Sequence, residues 1–231
     1  MTTVLQLDAS ARAGRSDLHA HGSHTRRLTA RFAERWQMVS PGRVLYRDIG
    51  QCPPAPVDGR WIHAAFTPPP QRQPWMQQRL AESDALIDEL LDADVIVAGV
   101  PMYNFGVPSG FKAYIDHIVR VGRTFGFDRT RQGEPYWPLL AERGCTLVLL
   151  GSRGDYGYDP GGRIAEMNHV ESAVRTAFGY IGITDVRAVA VEYDEFGGDR
   201  LAHSLRQAEA EVDRLVDQLA GERAGLSRLT A

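Results

Sequence analysis

Five short apolar runs rich in Val, Ile and Leu constrain this chain more than any other feature: "VLQLDAS" (4–10), "RVLYRDI" (43–49), "DVIVAGV" (94–100), "CTLVLLGS" (145–152) and "DVRAVAVE" (185–192). Near-continuous apolar runs of this length suit strands covered on both faces. Between them lie segments with helical spacing. In "HTRRLTARFAERW" (24–36), Leu28, Phe32 and Trp36 recur every fourth residue, and "RLAESDALIDELLDA" (79–93) continues the pattern through Leu80, Ile87, Leu90 and Leu91. Residues 111–119, 164–182 and 200–220 read the same way. Five strands alternating with five helices predict an α/β fold: a doubly wound five-stranded parallel sheet with right-handed crossovers and helices on both faces. With 231 residues and 43% apolar content, the chain suits a single domain, 1–231, with a sizeable core.

Two segments break the rhythm. Residues 51–74 contain "PPAP" and "PPP", which argue against a regular helix or interior strand and predict a long surface loop. Residues 122–144 are irregular but carry Phe125, Phe127, Tyr136 and Trp137, too many aromatics for a solvated linker, so this segment is expected to pack on a site or a partner subunit.

Charge and composition narrow the function. A net charge of −3 with dispersed Lys and Arg gives no electrostatic reason to expect nucleic acid. No segment approaches the roughly 18 apolar residues of a membrane span, and no positive residue precedes the first apolar run, so a cytoplasmic location is expected. Cys52 and Cys145 lie outside any CxxC spacing, which indicates neither a disulfide framework nor a zinc site.

In an open parallel sheet, ligands bind beyond the carboxyl ends of the strands. Three loops should meet there. The first, "SARAGRSDLHAHGSHT" (10–25), lacks both GxGxxG and GxxxxGK[ST] but offers Ser23 and Thr25 at a predicted helix start, where free N–H groups favour an anion such as a terminal phosphate. A plain helix cap explains the same residues. Arg12 and Arg15 could add positive charge. His19, His21 and His24 invite a metal, but no fourth ligand or supporting shell accompanies them, and the loop reads as an exposed one with no metal. The second loop, residues 101–110, opens with "PMYNF" (101–105), which brings together a backbone turn, a thioether, an aromatic face and an amide that both donates and accepts, an inventory suited to a flat heteroaromatic ring. The third, "GSRGDYGYDPGGR" (151–163), is glycine-rich and able to bring backbone N–H groups close to a ligand.

"PMYNF" followed by "P..FK.YID...R.G.TF", with "SRG" after the next strand, a first strand ending in Ser10 and "FGYIGITDV" (178–186), resembles the FMN-dependent azoreductases, flavodoxin-like enzymes that are also NAD(P)H:quinone oxidoreductases. The likeness spans nearly the whole chain. It implies FMN phosphate contacts at Ser10, Ser23, His24 and Thr25. Pro101, Met102, Tyr103, Asn104 and Phe105 would lie along the flavin ring, and Ser152, Arg153, Gly154 and Asp155 at its polar edge. It also implies NADH or NADPH as co-substrate, a quinone or azo acceptor, and a homodimer with the site at the subunit interface. Phe125, Phe127, Tyr136 and Trp137 would then wall the acceptor pocket. The flavin carries the chemistry, so no catalytic side chain is required, although Asn104 could tune the reduced ring. The first loop is longer than the family's usual one, Thr25 stands where Ser is common, and Asp155 replaces a usual glycine. Competing readings are an FMN reductase, a flavodoxin-type electron carrier and a flavin-free binding module.

Overall fold

The computed structural model describes residues 2–229. Each predicted strand forms within one or two residues of its expected bounds: β1 (Thr3–Asp8), β2 (Arg43–Asp48), β3 (Val95–Pro101), β6 (Thr146–Ser152) and β7 (Asp185–Val191), with the short β4 (Phe125–Phe127) and β5 (Tyr136–Pro138) between β3 and β6. The five long strands pair in parallel in the order β2-β1-β3-β6-β7. This is the flavodoxin-like order, with its reversal beside β1 and β3.

Alternation along each strand divides the core into two layers. From β3, Ile96, Ala98 and Val100 point to the side covered by α3 (Pro74–Asp92), α4 (Ser109–Ile118) and α5 (Val170–Ile181), which contribute Leu86, Phe111 and Phe178. Val95 and Val97 point to the opposite side, covered by α1 (His24–Val39) and α6 (Gly198–Leu229) with Phe32, Trp36, Val212 and Val216. Arg27, Arg31 and Arg35, spaced one helical turn apart on α1, pair with Glu209, Asp213 and Asp217 on α6 at 2.7, 2.6 and 2.7 Å. This ladder aligns the two helices along their exposed flank.

Two expectations need correction. Residues 51–74 are not a plain loop, because the prolines fall at its ends and leave a proline-free stretch that forms α2 (Gly59–Phe66). Asp58 caps it by accepting the Trp61 amide at 2.8 Å. Its Trp61, Ala64 and Ala65 bury against Met76 and Leu80 of α3 in a small satellite core. The helix expected over 164–182 starts only at Val170, after a single 3₁₀ turn at Ala165–Met167. No helix among the described residues is long and apolar enough to cross a membrane.

Candidate functional site

The loops after β1, β3, β6 and β7 enclose a cleft of about 340 Å³ at the carboxyl edge of the sheet. One end is formed by the start of α1. Ser23 caps α1, its Oγ accepting the Arg26 amide at 3.3 Å and sharing a hydrogen bond with the Thr25 hydroxyl at 2.9 Å. The first turn of α1 holds no acidic residue, so the positive end of its dipole is left for a ligand. Cap and anion site are thus compatible readings of the same serine. His24 is held by Ser16 Oγ on Nδ1 at 2.8 Å and by Asp194 Oδ1 on Nε2 at 3.1 Å. Arg12 reaches the other Asp194 oxygen at 3.5 Å. The hydrogen bond from His24 lowers the Asp194 pKa below the usual carboxylate range.

The other end is a flat shelf. The amide of Tyr103 donates to the Gly106 carbonyl at 2.9 Å, and that of Gly106 donates back at 3.1 Å, closing a two-residue turn. Asn104 and Phe105, at its tip, both adopt left-handed backbone, with φ of 49° and 68°. Two consecutive positive φ values define the tight hairpin turn that usually carries Asn-Gly. Asn tolerates this conformation; a phenylalanine is strained in it. Three hydrogen bonds hold the strained turn: Met102 amide to Ser152 carbonyl (2.9 Å), Ala11 amide to Tyr103 hydroxyl (3.1 Å), and His169 amide to Phe105 carbonyl (3.0 Å). If the strain is stored there, Phe105→Gly will be more stable than Phe105→Ala by about 1 kcal/mol, since both lose the ring and only glycine relieves the backbone. Urea unfolding of the ligand-free variants measures the difference.

The structure brings Ser10, Ser23, His24, Pro101, Met102, Tyr103, Asn104, Ser152 and Gly154 onto this one cleft. Phe105 and Asp155 line an adjoining hollow that shares Met102, Asn104 and Gly154 with it. Thr25 is fully buried behind Ser23. Arg153 belongs to the same loop, but its guanidinium turns away from the cleft into a nest of Asp159, Glu171 and Glu192. Asp155 pairs with Arg163 at 2.6 Å. Phe125, Phe127, Tyr136 and Trp137 sit on the β4–β5 hairpin, outside the cleft within one chain; Phe125 and Tyr136 pack beside Tyr180, and Trp137 lies under the Arg131 guanidinium. Arg15 points elsewhere, to Asp17 and Glu34.

Sequence reasoning missed Asp194 and Glu195, which complete the cleft from the loop after β7. Counting the carboxyl end of the fifth strand with the other three would have found that loop. His19 and His21 are exposed on the first loop, and among the described residues no group of three His, Cys, Asp or Glu is placed to hold a metal ion. Cys145 is buried at the opposite end of the sheet, its thiol pushed up to about 12 by that burial, and offers no nucleophile.

Known proteins with this architecture agree. A family model described as "Flavodoxin-like fold" matches residues 2–216. An FMN-dependent NADH:quinone oxidoreductase 2 of Idiomarina loihiensis is 39% identical over 220 residues, covering 95% of this chain and 91% of that one. An FMN-dependent NAD(P)H:quinone oxidoreductase 1 of Pseudomonas aeruginosa is 43% identical over 211 residues, 90% of this chain and 95% of that one. Among solved structures, an FMN-dependent NADH-azoreductase of Bacillus anthracis in complex with FMN superposes with a TM-score of 0.80 at 17% identity, covering 95% of this chain and all of that one, a likeness of fold. A helix start facing a flat shelf, on a sheet of this order and with relatives this similar along nearly its whole length, places the chain in the family of flavodoxin-like FMN-dependent NAD(P)H:quinone oxidoreductases.

Proposed function

We propose that this chain is an FMN-dependent NAD(P)H:quinone oxidoreductase that also reduces azo compounds. The observation that carries the reading is the pairing, in one cleft, of a helix N-terminus with no acidic residue in its first turn and a flat, polar-edged shelf. The donor set fits FMN. The Ser10 and Ser23 hydroxyls and the Arg12 guanidinium supply donors for a phosphate, with His24 held beside them by Ser16 and Asp194. Met102, Tyr103 and Asn104 supply a polarizable surface and an amide for an isoalloxazine ring. Ser152 and Gly154 bring backbone close to its edge; a Cβ at Gly154 would stand 2.5 Å from the Glu195 carboxylate, so a side chain there would crowd the cleft.

When bound, FMN supplies hydride acceptance from the reduced nicotinamide and onward transfer to the acceptor. The protein's part is to bind, orient and screen. The Asn104 amide, on a turn whose backbone is fixed at both ends, would donate to negative charge developing on the ring. Thr25 acts through Ser23 rather than on the phosphate. We place the working enzyme in the cytoplasm as a homodimer, in which the hairpin aromatics Phe125, Phe127, Tyr136 and Trp137 wall the partner's cleft, a role supported by the exposure of Phe127 and Tyr136 beside Leu139, with Phe125 buried beneath them, and by a cleft lining in their own chain to which none of the four contributes.

The purified protein is expected to be yellow, or to take up one FMN per chain. NADH or NADPH should bleach it without oxygen, and a quinone or azo dye should restore the colour. A colourless protein that takes up no FMN overturns the reading.

A further inference from the structure

Arg26 is the third residue of α1, its side chain 4% exposed, and every N–H of its guanidinium has an acceptor. Nε donates to the carbonyl of Arg12 at 2.7 Å, and Nη2 donates to the carbonyl of Ser10 at 2.9 Å. The remaining donors take both carboxylate oxygens of Asp48, at 2.6 and 2.8 Å, and the Tyr46 hydroxyl at 3.1 Å. Asp8 lies beneath, 3.7 Å away, and is itself held by Thr29 at 2.7 Å. Burial raises the Asp8 pKa, whereas at Asp48 burial is outweighed by the Arg26 and Gln51 hydrogen bonds, which hold that carboxyl below its usual range. Asp48, which takes a donor from each of the two terminal nitrogens, is the partner that orients the fork.

A trans peptide points its C=O and N–H in opposite directions. Drawing the Ser10 and Arg12 carbonyls toward Arg26 turns the amides of Ala11 and Ala13 away from it. The Ala11 amide donates to the hydroxyl of Tyr103, a residue that lines the cleft. Without this fork, the carbonyls of the first loop would be free to rotate toward the anion end and repel what binds there. Arg26 itself does not line the cleft.

We propose that Arg26 is the positioning residue of the phosphate cradle: held by Asp48 and Tyr46, it fixes two peptide planes of the first loop so that their carbonyls are held away from the phosphate of FMN. This rests on the flavin reading above. The role depends on geometry more than on charge. A lysine keeps the charge but has three donors on one atom and cannot span two carbonyls and a carboxylate. Charge-assisted hydrogen bonds of this kind account for affinity changes of about tenfold or more.

The test compares FMN with riboflavin, which lacks the phosphate, by fluorescence titration of the ligand-free protein, with circular dichroism as the check on folding. Arg26→Lys and Asp48→Asn are both expected to weaken FMN about tenfold or more and to leave riboflavin little changed. Asp48→Asn is the decisive variant: removing a negative charge near the cradle would tighten FMN if charge alone mattered, whereas loss of the fork's anchor weakens it. Wild-type FMN affinity in Arg26→Lys, tighter FMN in Asp48→Asn, or equal loss for both flavins overturns the proposal. A wild-type protein that binds neither flavin overturns the underlying reading and this proposal with it.

Discussion

Replacing Arg153 with methionine is expected to cost about 3–5 kcal/mol of folding stability and to abolish measurable FMN binding, although this side chain never reaches the cleft. Its guanidinium is 4% exposed and donates to Asp159 at 2.8 Å, to Glu192 at 3.0 Å and to Glu171. Glu192 in turn accepts the amides of Gly157 and Tyr158, at 3.0 and 3.1 Å. The Tyr158 ring lies against the same cation. Arg153 is thus the charge around which the loop after β6 folds back onto β7. Burial works against its charge, but the negative charge of Glu171 and its hydrogen bond raise the Arg153 pKa above the ordinary value. Methionine fills similar space but leaves Glu171 and Glu192, both largely buried, without a cation. Removing one partner of a buried network is far costlier than replacing the whole. Gly154 and Asp155 would lose the support that aims them at the cleft. Urea unfolding and flavin titration of the variant check both effects. Asp159→Asn is the control: Asp159 is 74% exposed, and its loss should cost less than about 1 kcal/mol. Comparable losses in the two variants would show that the nest does not organise the loop.

Much of the architecture was legible because its signals are local. The five strands are runs of Val, Ile and Leu that only a sheet covered on both faces can bury, and Leu28, Phe32 and Trp36 mark the buried face of α1 directly. Helix α2 was hidden because the prolines on either side of it dominate the composition of that segment, while the Asp58 cap and the Trp61 anchor are single residues. The site was legible by position along the chain, through the loop that follows each strand, but not by side-chain direction. Arg153 stands in the glycine-rich loop as a ligand arginine would, and its turn toward Glu171 is decided by three acidic residues scattered over some thirty positions. The "R.G.TF" stretch carried the family resemblance yet does structural work. Arg120 is buried on Asp84 and the Leu80 carbonyl, tying α4 to α3, and the Thr124 hydroxyl accepts from the Arg120 amide and donates to Ile118. The left-handed backbone at Asn104 and Phe105 was invisible because a phenylalanine is the last residue expected there.

Gly50→Ala is the second substitution expected to have a large effect, because a methyl group there would meet backbone instead of a side chain that could move. Gly50 follows β2, and its amide donates to the Asp8 carbonyl at 2.9 Å, drawing the chain tightly against the end of β1. A Cβ would stand 1.9 Å from the Ser10 carbonyl oxygen and 2.5 Å from its carbon. That carbonyl is the one Arg26 holds at 2.9 Å. Either the β2 turn or the first loop must shift, and overpacking of this kind costs about 1–3 kcal/mol. A shift of the loop moves the Ser10 carbonyl out of the guanidinium fork, so FMN should weaken more than riboflavin, in the same sense as for Arg26→Lys. A shift of the turn instead would lower stability and leave the ratio of the two affinities unchanged. Gly59→Ala separates glycine loss from collision: nothing lies within 4 Å of a Cβ at Gly59, which begins α2 in ordinary helical backbone. Alanine there should be neutral or slightly stabilising. Opposite outcomes for the two glycines would mean that close approach of two backbones, and not flexibility, is why the chain has no side chain at position 50.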